Sequence, residues 1–328
     1  MNDRRAVLEE ALRSIPAGTC PIRLQETGLP PIRSITVQTK GKGYMTAAIL
    51  FPGIELSYWQ LLAPTVSFRH EARHDAIELT FCRSGRAGWN LTNGFVSYIG
   101  PGALSAHMMD CCADSAMSLP LGYFEGIGLA IDFHALTGTP ADIISSAGMT
   151  TDGLIEKYGA SPVVLPPNQE LERLFSSMYD TPAPFRPAAC KIAALELLLY
   201  LVRTDIRAAA AQPDCDAQLA LVIQEIHDVM TANLEKRYTI GELAKTYFVN
   251  TSSLKAAFKA VYGLPIAAYM RSYRIRRAMT LLQETDSSIA AIAAAVGYET
   301  QGKFTKAFKE ATQLLPRDYR KKYRSAGL

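Results

Sequence analysis

The sequence predicts an α+β protein of several domains: a small β-barrel, then a helical hairpin, and finally an all-α region with two helix-turn-helix units. Three observations support this order. Short strand-like segments between Gly, Pro and Asn fill the first half of the chain. The spacing of apolar residues becomes helical from Asn168 onwards. Near the C-terminus, one helical pattern occurs at 239–269 and again at 288–319.

The first domain is predicted to be rich in strands. Segments 32–37, 76–81 and 94–99 are strand-like and lie between turn-forming residues. Repeated strand and turn signals at such spacing favour a small barrel or sandwich. We therefore assign residues 1–165 to one domain, with 142–158 as a mixed helical segment within it.

A helical hairpin is predicted to follow. Segments 168–179 and 188–211 have helical spacing, and the proline-rich stretch between them cannot continue a helix. The second helix carries an apolar stripe that includes Leu195 and Leu199. Packing inside the domain and packing on a second subunit both explain this stripe. We assign 166–211 as a dimerisation hairpin.

Residues 212–216 are predicted to be a linker, and 217–328 a helical domain. In the first helix-turn-helix unit, Thr239 and Glu242 have the spacing of a capping box. Asn250 is a good N-cap for the second helix of this unit, and Gly263 can end that helix in a left-handed conformation. Each local signal thus agrees with the duplicated pattern.

The connection between the two units is predicted to be one helix over 266–284. Its 19 residues span roughly 28 Å, which approaches the 34–36 Å of one turn of DNA. Two recognition helices joined by it could therefore enter successive faces of the major groove. Ser287 is predicted to cap the next helix, and 300–312 to form the second recognition helix.

The distribution of charge supports DNA binding. The net charge of the chain is only +3, but residues 235–328 contain 17 Lys and Arg against 7 Asp and Glu, a balance of +10. Clustered cations neutralise phosphates and supply most of the sequence-independent affinity for DNA. The remaining residues are acidic overall, which indicates another role for the N-terminal part.

Composition predicts a cytoplasmic globular protein. Of the 328 residues, 48% are hydrophobic, but no apolar run reaches the roughly eighteen residues of a membrane span. The six cysteines lack the spacing of a disulfide framework, and the first residues lack the apolar stretch of a signal peptide.

The C-terminal region resembles the AraC/XylS family of bacterial transcription regulators. The spacing of 289–298, 304–309 and 316–320 follows the pattern of that family. The resemblance implies a regulator that binds double-stranded promoter DNA and is not an enzyme. It also implies a homodimer, and it leaves a contact with RNA polymerase open. Gln313 stands where the family usually has glycine, so we expect the second recognition helix to end less sharply.

The resemblance also implies which side chains contact DNA. Base contacts in the family come from the exposed face of each recognition helix. The corresponding positions, with the flanking lysine of the first helix, are Ser252, Ser253, Lys255, Lys259, Gln301, Lys303, Thr305 and Lys306. Arg271 and Arg320 lie outside these helices, where either phosphates or ion pairs between the two units could engage them.

The N-terminal half resembles the cupin-like sensor domain of regulators of the pyochelin-regulator type, through 76–82 and 98–105. The resemblance implies a β-barrel that binds a small-molecule effector of unknown identity. Such pockets are mainly apolar with a few polar anchors. The candidate ligand-binding residues are Trp59, His74, Glu78, Phe81, Trp89, Tyr98 and His107. Ordinary core packing is the alternative explanation for the aromatic residues.

A metal-dependent cupin enzyme fused to a DNA-binding domain is the second hypothesis. His70, His74 and Glu78 have spacings close to those of a cupin metal motif, and His107 fits a second motif loosely. The usual close pair of histidines is absent, so we predict no metal, no cofactor and no enzymatic activity. Cys111 and Cys112 are predicted to be small buried hydrophobic residues on opposite faces of a strand.

Overall fold

The structure, a computed structural model, describes residues 4–25, 27–32, 34–90, 95–159, 161–206 and 215–324. The chain divides into two compact units, the first up to Ala217 and the second from Gln218. Most of the predicted linker, 212–214, lies outside the described residues, and Cys215–Asp216 form a short strand. In the described ranges, no helix is both long and apolar enough to cross a membrane.

Helix α1 (Arg4–Ala11) precedes two β-sheets in the N-terminal unit. The seven-stranded sheet has the order β1 (Ile22–Leu24), β3 (Lys42–Phe51), β4 (Ile54–Leu62), β11 (Phe124–Asp132), β6 (Ala76–Gly85), β9 (Leu104–Met108), β12 (Val163–Leu165). The six-stranded sheet has the order β13 (Cys215–Asp216), β8 (Phe95–Ile99), β7 (Ala87–Asn90), β10 (Asp114–Ser118), β5 (Thr65–Arg69), β2 (Thr36–Thr39). Neighbouring strands are antiparallel except β1 and β3.

The two sheets share one apolar core. Trp59 and Leu61 of the larger sheet pack in the same cluster as Phe68, Trp89 and Met117 of the smaller one. The unit is thus rich in strands, as the sequence predicts, and its closure into a cupin-like barrel stays a prediction. The predicted strand 32–37 is largely wrong, because the N–H of Ile32 donates to the Glu55 carboxylate instead of to a neighbouring strand.

Four helices pack against the larger sheet: α2 (Thr139–Ser146), α3 (Thr151–Gly159), α4 (Gln169–Asp180) and α5 (Arg186–Arg203). The ring of Phe81 stacks on that of Phe175 with centroids 4.1 Å apart, which joins the sheet to α4. Of the predicted stripe on α5, Val202 is buried, whereas Ile192 and Leu199 are 60% and 45% exposed. The predicted stripe therefore divides between core and surface, and dimerisation stays a prediction.

The second unit is helical. Its helices are α6 (Ala217–Ala232), α7 (Ile240–Thr246), α8 (Thr251–Tyr262), α9 (Ile266–Glu284), α10 (Ile289–Ala295), α11 (Gln301–Thr312) and α12 (Pro316–Arg324). The capping box of Thr239 and Glu242 and the Asn250 cap are confirmed. The predicted cap at Ser287 is wrong by one residue, since the Ser288 hydroxyl accepts the N–H of Ala291.

Candidate nucleic-acid interface

Each recognition helix, α8 and α11, is held to its unit by one buried apolar face. Leu254 and Phe258 of α8 are fully buried, and so are Phe304 and Phe308 of α11. The helical period places these side chains on one side, which leaves the opposite side to solvent. The duplicated sequence pattern therefore produces two equivalent helices with equivalent exposed faces.

The exposed faces contain most of the residues that the sequence singles out on these two helices. Ser252, Lys255 and Lys259 are exposed on α8, and Gln301, Lys303 and Lys306 are exposed on α11. Ser253 and Thr305 are half-buried, and the N–H of Ser253 donates to the Asn250 side chain at 2.7 Å. The structure thus groups these residues by face, and their contact with DNA stays a prediction.

The lysines of the two faces differ in their surroundings. Within the described part of the chain, Lys255 and Lys259 have no ion-pair partner, whereas Lys303 pairs with Glu299. The same carboxylate lies 2.6 Å from the guanidinium of Arg237. Lys303 first, and then Arg237, hold the pKa of Glu299 below its usual value. The second recognition helix therefore begins beside a negative charge.

The two predicted phosphate-binding arginines have protein partners in this structure. Arg271 of α9 pairs with Glu310 of α11, and Arg320 of α12 donates to the backbone carbonyl of Ser287. Arg274 likewise donates to the carbonyl of Leu234 at 3.0 Å. These contacts favour the alternative that the arginines join the helices of the domain together.

Helix α9 belongs to the cores of both helix-turn-helix units. At its start, the hydroxyl of Tyr269 lies 3.0 Å from Nε2 of His227, whose ring stacks on that of Tyr262. At its end, Ala278 and Leu282 pack in the core of the second unit. A single helix therefore fixes the spacing of the two recognition helices.

The end of α11 corrects one prediction. Gln313 has a left-handed backbone, with φ 62°, and its N–H donates to the carbonyl of Lys309 at 2.8 Å. Gly263 ends α8 with the same bond, also at 2.8 Å, to Lys259. The second recognition helix therefore ends as sharply as the first, because Gln313 adopts the conformation that glycine adopts in the other unit.

The candidate effector-binding residues of the N-terminal unit do not line one common pocket. Trp59, Glu78 and Trp89 line a cavity of about 10 Å³ between the sheets. His107 lies beside them, with its Nε2 3.8 Å from the Glu78 carboxylate. The other residues that line the cavity are Ile35, Phe68, His70, Cys112 and Ser115.

The remaining three candidates lie elsewhere. Phe81 is an odd number of residues from Glu78 on the same strand and so faces α4, where it lines a groove of about 290 Å³. Tyr98 lies across the strand pair from Gly88, where its ring occupies the space that a side chain at Gly88 would need. His74 is on the surface and pairs with Asp110 at 2.6 Å.

The two adjacent cysteines also differ from the prediction. They lie in a turn after β9, not in a strand. Sγ of Cys112 is 3.4 Å from Nε2 of His70 and 3.7 Å from the Glu78 carboxylate. Cys111 instead donates to the Met108 carbonyl, and burial raises the pKa of its thiol to about 11. Cys112 thus has polar neighbours that no local sequence signal indicates.

Comparison with known proteins identifies relatives of the C-terminal region. A helix-turn-helix domain family matches residues 243–322. An AraC-like transcription regulator of Streptomyces lividans is 37% identical over 86 residues, which cover 26% of this chain and 28% of that protein. The transcriptional activator RhaR of Mannheimia succiniciproducens is 24% identical over 129 residues, which cover 39% and 45%. The chain thus spans less than half the length of these relatives.

Solved structures match either about a third of the chain or most of it. A regulator from Chromobacterium violaceum with an AraC-type DNA-binding domain is 27% identical and covers 34% of this chain and 99% of that one, with a TM-score of 0.31. Fatty-acid-bound ToxT of Vibrio cholerae is 14% identical and covers 81% and 94%, with a TM-score of 0.32.

The fold and its two exposed recognition helices define a double helix-turn-helix domain. Its match to the helix-turn-helix family and its identity to AraC-like regulators make it a domain of the AraC type.

Proposed function

We propose that this protein is a ligand-responsive transcription regulator that binds specific promoter sequences in the cytoplasm as a homodimer. The observation that carries the proposal is the pair of equivalent recognition helices, α8 and α11. Each has an exposed basic face, and the single helix α9 connects the two units. Lysine can reach guanine O6 and N7 in the major groove, and the balance of +10 over 235–328 supplies attraction to phosphates.

The N-terminal unit supports a sensing role. Its two sheets enclose polar side chains, Glu78 and His107, among the aromatic rings of Trp59 and Trp89. A few polar groups in a mainly apolar enclosure are typical of small-molecule sites, and the groove of about 290 Å³ beside Phe81 has nearly the volume that a small ligand needs. A small molecule that binds only the folded protein raises its melting temperature, so a thermal screen of candidate compounds would identify the effector class.

DNA binding is tested on the full chain with the intergenic DNA beside its gene and with a random duplex. We expect Lys255→Ala to weaken cognate binding by about 1–3 kcal/mol and random binding little, because base contacts act only at the cognate site. Lys40→Ala is the matched control, since Lys40 is an exposed lysine of the other unit. Equal losses on both duplexes would assign Lys255 to a phosphate, and no salt-dependent binding at all would refute the proposed function.

A further inference from the structure

Three side chains that are distant in sequence converge in the cavity between the two sheets. His70 follows β5 of the smaller sheet, Glu78 lies on β6 of the larger one, and Cys112 lies in the turn after β9. One nitrogen, one oxygen and one sulfur atom of these residues all lie within 4.8 Å of one another. The cluster differs from the cupin-like motif in the sequence, because Cys112 takes part and His74 does not.

The spacing of these atoms is close to that around a bound zinc ion. Zinc binds sulfur at about 2.3 Å and nitrogen or oxygen at about 2.0–2.2 Å, so tetrahedral ligand atoms lie about 3.5 Å apart. Sγ of Cys112 is 3.4 Å from Nε2 of His70 and 3.7 Å from Oε2 of Glu78. The three donors therefore need little movement to share one ion.

The imidazole of His70 is oriented as a ligand would be. Its Nδ1 lies 2.8 Å from the backbone carbonyl of Glu71. Because a carbonyl oxygen can only accept, Nδ1 carries the proton, and the lone pair of a neutral ring is on Nε2. Histidines that bind metals generally donate their other ring N–H in this way. Nε2 is the atom that faces Cys112.

Burial adds a second reason. Glu78 is 6% and Cys112 4% exposed, and the rings of Trp59, Phe68 and Trp89 line the same cavity. In such apolar surroundings a carboxylate and a thiolate are stabilised by a cation that they coordinate. The cavity volume of about 10 Å³ is near the space that one water molecule occupies, which suits a single ion and no larger group.

We propose that this cluster binds one divalent transition-metal ion of the zinc class, through Nε2 of His70, the Glu78 carboxylate and Sγ of Cys112. The mixed nitrogen, oxygen and sulfur donors favour such an ion over magnesium or calcium, which prefer oxygen alone. Binding releases the Cys112 thiol proton to solvent, and the resulting thiolate and the carboxylate balance the two charges of the ion. The fourth position is left to a water molecule.

His107 is a positioning residue for this site. Its Nε2 lies 3.8 Å from Oε2 of Glu78, and its Nδ1 lies 3.4 Å from the hydroxyl of Ser105. It is 3% exposed, so its ring has little freedom to turn away. His107→Gln should lower metal affinity by about 10–100-fold while all three ligands remain, as the loss of an outer partner generally does.

The test uses the purified full chain, stripped with a chelator and then titrated with Co²⁺ as a spectroscopic probe. We expect one equivalent to bind, with a near-ultraviolet charge-transfer band from thiolate to cobalt and the visible spectrum of a four-coordinate ion. Zn²⁺ should displace the cobalt and abolish both signals. The band should be absent in Cys112→Ser, and His70→Ala should lower affinity by at least about tenfold.

Two controls separate the site from its neighbours. Cys111→Ser removes the adjacent thiol, which bonds to the Met108 carbonyl, and His74→Ala removes the exposed histidine. Both variants should keep the band. A wild-type chain without stoichiometric cobalt binding, or a band that persists in folded Cys112→Ser, would overturn the proposal. The wild-type result decides even if the ligand variants unfold, and since no DNA is involved, the proposed regulatory function is tested separately.

Discussion

Phe248 and Gly297 occupy the same position in the turns of the two helix-turn-helix units, and both have a left-handed backbone, with φ of 55° and 79°. Their surroundings differ. A Cβ atom on Gly297 would lie 2.0 Å from the carbonyl oxygen of Leu234. The side chain of Phe248 is 97% exposed and has open space around it. In the second turn, glycine therefore avoids both a strained backbone and a collision with Leu234. In the first turn, glycine would relieve only the strained backbone.

Phe248→Gly should stabilise the C-terminal unit by about 0.5–1 kcal/mol. A left-handed backbone costs a residue with a Cβ about 1–2 kcal/mol, and the entropy of glycine in the unfolded chain offsets part of the gain. The measurement is the unfolding transition of this unit in urea. Phe248→Ala is the control, because alanine keeps the strain and the exposed ring contributes little burial. A gain in both variants would assign the effect to the ring and not to the backbone.

Gly297→Ala should have the opposite sign and cost at least about 2 kcal/mol, since backbone strain adds to the collision with Leu234. Gly302→Ala in the same unit is the matched control. A Cβ there meets nothing within 4 Å, and alanine favours a helix by up to about 1 kcal/mol. Thermal unfolding of the two variants should thus shift in opposite directions; a shared direction would contradict the geometry of this turn.

Gln313→Gly should also stabilise the chain, by about 1 kcal/mol, because Gln313 is a non-glycine residue in the left-handed cap of α11. Its amide donates to the Glu310 carbonyl at 3.1 Å, a contact that glycine loses. Gln313→Ala loses the same contact but keeps the strain, so it should be destabilising. If both variants are equally stable in urea unfolding, the cap is not strained.

The exposed part of α5 predicts the outcome of two adjacent substitutions. If this helix forms the dimer interface, Leu199→Glu should yield a folded monomer, because Leu199 is 45% exposed in the single chain. Leu198→Glu should instead unfold the N-terminal unit, since Leu198 is fully buried and an unpaired buried charge is costly. Analytical ultracentrifugation with circular dichroism distinguishes the two. A folded dimer of Leu199→Glu would place the interface elsewhere.

The sequence predicts the helical unit well because its signals are local. The Asn250 cap and the ends of α9 depend on residues a few positions apart, and the structure has α9 at Ile266–Glu284 as predicted. Gln313 shows the limit of this reasoning. The residue type indicates that a left-handed backbone would be strained at this cap, but the packing of the domain decides that the backbone is left-handed.

The N-terminal site is harder to predict because it depends on contacts between distant segments. Sequence separations of 42 and 34 residues divide Cys112 from His70 and Glu78. No periodic pattern in the sequence relates these three residues, and they come together only because β5 and β6 lie in facing sheets. Phe81 illustrates a second difficulty, since both faces of β6 are buried and the sequence cannot tell which face borders the cavity.

The carboxylate of Glu299 should limit the affinity of the second unit for DNA. It pairs with Lys303 at the start of α11 and also with Arg237, so one carboxylate forms ion pairs with two cations near the exposed face. Glu299→Gln removes the negative charge and releases both. We expect tighter binding to a random duplex at low salt and a salt slope steeper by about two, as each of the two further phosphate contacts releases about one counterion.

The matched control for this change is Glu284→Gln. Glu284 is an exposed carboxylate at the end of α9 and has no ion pair among the described residues. Its substitution therefore changes the net charge by the same amount as Glu299→Gln. Exposed ion pairs contribute little to folding, and both variants should therefore remain folded. If the salt slopes of the two variants are equal, only net charge matters. A steeper slope in Glu299→Gln alone would show that Lys303 and Arg237 reach the phosphates once their shared partner is neutral.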